Sequence, residues 1–203
     1  MTNISALVAK YGALWTKANI LPKRAAEVNA VATRLVAPAA KARYQAISTT
    51  TGVPWWVIAV IHEREADQNW NSQLGQGDPL DQISRHVPRG RGPFFNHPTD
   101  PPGQDAFYRG AVDALQNCPP YAARWKDWSP GGTLVILVMY NGLGYEAHNE
   151  NSPYIVGATD QEQPGKYTGD DIYSAAVWDT QIGCAAMLKA MMALDPSIQF
   201  VGA

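Results

Sequence analysis

Charge is scarce in this chain. Lys and Arg number 16 and Asp and Glu 18, so 17% of the 203 residues are charged and the formal net charge is −2. A nucleic acid or an anionic membrane surface calls for concentrated positive charge, and this balance excludes both as partners. Cysteine is almost absent. Cys118 and Cys184 lack C-x-x-C spacing, which excludes a disulfide framework or a Cys-rich zinc site and leaves open only whether the two pair with each other. No apolar run approaches the roughly 18 residues of a membrane span. The stretch MTNISALVAKYGALWTKANILPKR lacks a basic n-region followed by an apolar h-region and a cleavage site. The expectation is a monomer made in the cytoplasm without a signal peptide and without stable membrane insertion, for which any export relies on another machine.

Aromatic rings are plentiful, with seven Trp and nine Tyr. Such rings stack on sugars or bases when exposed and fill cores when buried. Trp125, Trp128 and Trp178 are candidate sugar platforms on this ground.

The length suits one domain, 1–203, with a core of its own. Residues 4–18 and about 23–47 are Ala-rich with helical spacing, interrupted by Leu21-Pro22, and Pro38 starts a new helix or kinks this one. Thr51-Gly52-Val53-Pro54 reads as the start of a helix over 54–65 that is apolar all round, the mark of a central, enclosed helix. From Asn69 to Gly103 the runs GQGDPL, HVPRGRGPF and HPTDPPG are turn chemistry, with space for one short strand. Helical texture returns at 104–117, 121–127 and 131–141. A second loop covers 142–176, and 178–194 is a final amphipathic helix. Two long loops in a mainly α domain point to binding surfaces.

The apolar helix runs into IHEREADQNW, a knot of ionisable groups. His62-Glu63 is not a zinc-protease motif, because Ala66 stands where H-E-x-x-H requires its second His, and His86, His97 and His148 are scattered. No metal site is expected. No G-x-S-x-G elbow and no phosphate-binding glycine loop is present. Carboxylates remain. At about 100° per residue, Glu63 and Glu65 project roughly 160° apart and do not form a pair on one face. Whichever faces a dry cleft has its carboxyl pKa raised by desolvation, as a general acid for glycosidic oxygen requires. The alternative is that both pair with Arg64 or other bases at a helix end. A second carboxylate holding water would lie about 6.5–9.5 Å from the acid. Asp78, 13 positions after Glu65, and then Asp81 are the candidates, although Gly-Asp-Pro is also turn chemistry. Gln73 and Gln76 are weaker candidates for substrate contact. Arg89 and Arg91 read either as contacts to an acidic peptide or glycan oxygens, or as parts of a solvated loop. Lys166-Tyr167 and Asp170-Asp171 are candidates for a further cleft wall.

The run VIAVIHEREA resembles the catalytic-helix motif of the lysozyme-like superfamily, specifically goose-type lysozymes and soluble lytic transglycosylases. In that motif an apolar helix ends in Glu-Ser, often preceded by Arg. Here Arg64-Glu65-Ala66 takes the place, with Ala66 where serine is usual, so Glu65 matches the family's general acid. The longer run IHEREADQNWNSQLGQGDPLDQISRHVPRGRGPF is similar to a lysozyme-like group of phage and prophage-type bacterial sequences. MYNGLGYE is similar to the family's Tyr-Asn-Gly motif. The similarity covers roughly 54–145 and leaves the first 50 residues without a matching motif.

The resemblance implies a lysozyme-like fold, mainly α with a central buried helix, two long active-site loops and at most a small β element. It implies cleavage of the β-1,4 bond between N-acetylmuramic acid and N-acetylglucosamine in peptidoglycan, without a cofactor. Glu65 would be the acid, with Tyr140 close to it, Asn141 shaping the cleft and Asp78 positioning water. Action at the cell wall would follow holin-type release or specialised export. Three alternatives stay open: a lytic transglycosylase with one acid/base, a non-catalytic glycan-binding or structural phage protein, and Glu63 as the acid in place of Glu65.

Overall fold

A computed structural model describes residues 3–169 and 172–202. The chain is mainly helical, with nine α-helices and one two-stranded sheet among the described residues. No helix among them is long and apolar enough to cross a membrane. Contacts divide the chain into two compact units, one spanning Arg34–Lys126 and the other formed by the residues before and after that segment.

The discontinuous unit contains α1 (Ile4–Lys17), most of α2 (Ala25–Leu35), α6 (Pro130–Asn141), α7 (Gly144–Ala147), α8 (Pro153–Val156), the strands β1 (Lys166–Gly169) and β2 (Ile172–Ser174), and α9 (Cys184–Leu194). Asn3 caps α1, its side chain accepting the Ala6 N–H at 3.1 Å. Ser129 caps α6 in the same way through the Gly132 N–H at 3.1 Å, and Pro130 follows at the first helical position, where its missing N–H costs nothing. Helix α6 is buried from Gly131 to Val138 and packs on α1, α8 and α9. Its contact with α1 is backbone on backbone: a Cβ on Gly131 would lie 2.2 Å from the Val8 carbonyl oxygen. Glycine is required there because the helices approach closer than a methyl group permits.

The second unit, Arg34–Lys126, holds α3 (Pro38–Thr51), α4 (Trp55–Ala66) and α5 (Ala106–Asn117). Helix α3 packs on both α4 and α5. Asp105 caps α5 through the Tyr108 N–H at 3.0 Å. Every residue of α4 from Trp55 to Glu63 is buried, as expected of a helix apolar all round.

Boundaries differ from expectation where one residue type serves two uses. Gly52 does not open α4. It adopts φ 73° and closes α3, its N–H donating to the Ser48 carbonyl at 2.8 Å, and Pro54 precedes the first turn of α4. The segment 121–127 keeps only a 3-10 turn, Ala122–Arg124. The final helix begins at Cys184, since 178–183 is held in irregular backbone by contacts described below. The first long loop contains an isolated bridge, Ser72 with Pro79, and no strand. The β element lies in the second loop, where β1 (Lys166–Gly169) pairs antiparallel with β2 (Ile172–Ser174). Asp170 and Asp171 fall outside the described residues. Cys118 and Cys184 are both buried thiols.

Gly131→Ala is expected to destabilise the protein by about 1–3 kcal/mol, the usual cost of overpacking, because the obstructing atom is backbone rather than a movable side chain. Urea denaturation of the variant would check it. An unchanged midpoint would show that α1 and α6 can separate without loss.

Candidate active site

The last turn of α4 places polar groups where the helix is still enclosed. His62 is fully buried and Glu63 nearly so, while Glu65 is half-buried. His62 Nε2 lies 3.1 Å from the Asn69 carbonyl and Nδ1 lies 2.9 Å from the Tyr44 hydroxyl. A carbonyl only accepts, so Nε2 carries the proton and Nδ1 accepts from Tyr44. The Gln68 amide donates to Tyr44 Oη at 3.1 Å, and Arg34 donates to Gln68 Oε1 at 3.2 Å. Arg34 also reaches Glu63 Oε1 at 2.6 Å. The rings of Trp70 and Phe107 enclose the imidazole at 4.7 and 4.4 Å between centroids. His62 is therefore a neutral structural residue. Burial pushes its pKa down to about 4, outweighing the Asn69 hydrogen bond that acts the other way. Burial also pushes the Glu63 carboxyl above its ordinary range, more than the Arg34 guanidinium beside it pulls it down.

The chain leaves α4 through Asp67 and Gln68, both with positive φ, and enters the first loop. That loop is tightly bonded. Gly77 has φ 73°, and a Cβ there would lie 2.5 Å from the Glu65 carbonyl oxygen. The Gly75-Gln76-Gly77-Asp78 turn is thus seated directly on the backbone of Glu65, and only glycine permits it. The Gln73 side chain braces the turn by donating to the Pro79 and Gln82 carbonyls at 3.0 and 2.8 Å. Gln76 donates to Gln73 Oε1 at 2.9 Å.

Asp78 is buried and accepts three hydrogen bonds. The Arg85 and His86 N–H groups donate to Oδ2 at 2.8 and 3.0 Å, and His86 Nδ1 meets Oδ1 at 2.8 Å. Burial opposes the charged form, but these donors together hold the carboxyl below its ordinary value. Asp78 closes the 78–86 turn as an ionised, weakly basic group. Asp81, by contrast, is exposed and has no side-chain partner among the described residues. It lies on a cavity of about 460 Å³ lined by Trp70, Asn71, Phe94 and Phe95, in which Arg43 stacks 3.8 Å over the Trp70 ring.

Other candidate residues divide between the units. Arg91 is pinned to α5 by a two-pronged ion pair with Asp113, with Nε to Oδ2 at 2.7 Å, so its fork serves the loop and not a ligand. Arg89 is exposed. Tyr140 is half-buried and Asn141 exposed at the end of α6, where Asn141 Nδ2 lies 3.5 Å from Ser152 Oγ. Among the described residues no group of three or more His, Cys, Asp or Glu is placed to hold a metal ion.

No protein-family model, curated protein or solved structure matches the chain.

Sequence reasoning missed Arg34, Tyr44 and Gln68. No linear motif joins residues 34, 44, 62, 63 and 68: Arg34 ends α2, Tyr44 is on α3, His62 and Glu63 are on α4 and Gln68 lies just beyond it, and their side-chain hydrogen bonds gather them.

His62 and Glu63 give opposite pH responses. In the folded protein His62 titrates below its ordinary 6.5, so the unfolded chain binds the extra proton and stability falls as pH drops from 6.5 to about 4. At about 1.4 kcal/mol per pH unit, the whole window amounts to roughly 3 kcal/mol. Glu63 titrates above its ordinary 4.5, so its contribution is present below that pH and is lost as pH rises through the raised value. The two partly cancel above pH 4.5. Glu63→Gln is expected to steepen the loss of Tm between pH 6.5 and 4.5. Parallel Tm profiles for the variant and the parent protein would refute the opposition.

Proposed function

We propose that the protein is a muramidase that cleaves the β-1,4 bond between N-acetylmuramic acid and N-acetylglucosamine, with Glu65 as general acid, in the setting of phage-type cell-wall lysis. The observation that carries the reading is the seating of the Gly75–Asp78 turn on the Glu65 backbone. It brings the turn bearing a second, ionised carboxylate to the residue that matches the resembled motif. A general acid must come within about 2.6–3.2 Å of the oxygen it protonates. Glu63 serves poorly, because it is buried and one of its oxygens is held by Arg34. Glu65 is the more accessible of the two.

In the reaction, the protonated Glu65 carboxyl gives its proton to the glycosidic oxygen as the bond from that oxygen to the anomeric carbon breaks. In hydrolysis, water attacks the anomeric carbon and its proton passes to a carboxylate. Tyr140 and Asn141 belong to the proposal as the Tyr-Asn of the second resembled motif. Gln76, Asp81 and Arg89 are proposed contacts to glycan or stem peptide.

One observation favours a second reading, the lytic transglycosylase. Asp78 spends its oxygens on three donors and is a weak base. If it takes no proton, the ionised Glu65 takes one from the sugar's own hydroxyl, which closes an anhydro ring.

Mass spectrometry of purified peptidoglycan digested with the parent protein, Glu65→Gln and Asp78→Asn separates these readings. Reducing muramic acid ends that Glu65→Gln cuts by about a hundredfold or more, the usual weight of a general acid, are expected of the hydrolase. Anhydro-muramic ends that persist in Asp78→Asn indicate the transglycosylase. New ends produced equally well by Glu65→Gln would overturn the assignment of the acid.

A further inference from the structure

Of the three tryptophans singled out as stacking platforms, Trp128 is 9% exposed and Trp178 is 52% exposed. Among the described residues no aromatic ring and no cation is stacked on the Trp178 ring. It borders a cavity of about 480 Å³ in the discontinuous unit, whose other walls include Lys23, Arg24, Glu27, Glu162 and Asp179. That volume is within the usual range of small-molecule sites, roughly 300–1,000 Å³.

The ring is exposed on a fixed backbone. Gly165 N–H donates to the Val177 carbonyl at 2.9 Å on one side of Trp178, and the Lys166 ammonium reaches Asp179 Oδ1 at 2.8 Å on the other. Arg24 then donates to the Thr180 carbonyl at 2.9 Å. These contacts keep 178–183 out of α9. A large apolar face left in water on a segment held this firmly is preorganised for a ligand rather than simply mobile.

The polar groups around the ring say which ligand. Arg24 makes two bonds to Glu27, at 2.6 and 2.9 Å, which neutralise that pair. Asp179 is matched by Lys166. Glu162 accepts the Ala158 N–H with Oε2 at 2.9 Å, and Lys23 has no side-chain partner among the described residues. With Lys166 counted, three cations meet three carboxylates, which favours neither a phosphate nor an amine. The second oxygen of Glu162 and the Lys23 ammonium offer an acceptor and a donor for neighbouring hydroxyls, while the indole face suits the C–H surface of a pyranose ring. We infer that this cavity is a binding site for a neutral pyranoside, stacked on Trp178 and hydrogen-bonded by Glu162 and Lys23. The inference uses neither Glu65 nor its proposed chemistry.

The indole Nε1–H resonance of Trp178, identified in the 15N-labelled full chain by its loss in Trp178→Phe, reports on the site. Titration with N,N′-diacetylchitobiose is expected to shift it saturably. Glu65→Gln should show the same shift, so failure of the proposed catalysis would not mimic failure of this site. Trp178→Ala should keep its Tm and bind purified peptidoglycan about fivefold more weakly, in line with the loss of one stacking contact. The site is overturned if the Trp178 resonance stays still, if only other indoles respond to the sugar, or if inorganic phosphate moves it and the sugar does not.

Discussion

A nearly buried carboxyl with one cation beside it governs the end of α4. Hydrocarbon encloses this helix up to Ile61, and the enclosure continues past the point where the sequence turns polar, so His62 and Glu63 are buried before the helix ends. Burying such groups is unfavourable unless partners replace the lost water. Tyr44 and the Asn69 carbonyl satisfy both ring nitrogens of His62. Arg34 satisfies one oxygen of Glu63, while Oε2 has no hydrogen-bond partner. That incomplete match explains why burial prevails over the ion pair at this carboxyl. It also ties α4 to Arg34 and to the Gln68 turn, and so fixes the direction in which the first loop departs.

The loop that departs there is long but not loose. Gln73, Ser84 and Asp78 each use a side chain to satisfy backbone groups that no strand or helix provides for. Ser84 donates to the Pro88 carbonyl at 2.7 Å and accepts the Arg91 N–H at 2.9 Å. Arg91 then anchors the segment to Asp113 on α5. Irregular backbone held by such bonds behaves as a shaped surface, which is what a site on a loop requires. It also shows how a polar, glycine-rich stretch contributes to structure without a hydrophobic face of its own.

The mainly helical fold was legible because its two central helices, α4 and α6, are too apolar to be anything but enclosed; the caps Asn3, Asp105 and Ser129 emerge only from the structure. Glycine was the ambiguous sign. Gly52 and Gly77 both adopt positive φ, yet one ends a helix and the other admits a neighbouring carbonyl, and the local sequence does not say which. At the candidate site, composition and spacing picked out Glu63, Glu65 and Asp78 but not their partners. Arg34 and Tyr44 are distant in sequence, and whether a carboxylate such as Asp78 is spent on a turn depends on the N–H groups of residues 85 and 86.

The two glutamates of α4 illustrate how position on a helix divides chemical labour. Two residues apart, they project roughly 160° from each other. The Glu63 side chain meets Arg34, while it is the backbone carbonyl of Glu65 that the Gly77 turn approaches. Glu63 is raised in pKa by its surroundings, the property usually sought in a general acid, but the burial that raises it also withholds it from any substrate. A perturbed titration marks a functional group only when the group can be touched. Accessibility thus outweighs the pKa in choosing between them. It favours Glu65 for the proposed proton-donating role and leaves Glu63 tied to Arg34 at the end of α2.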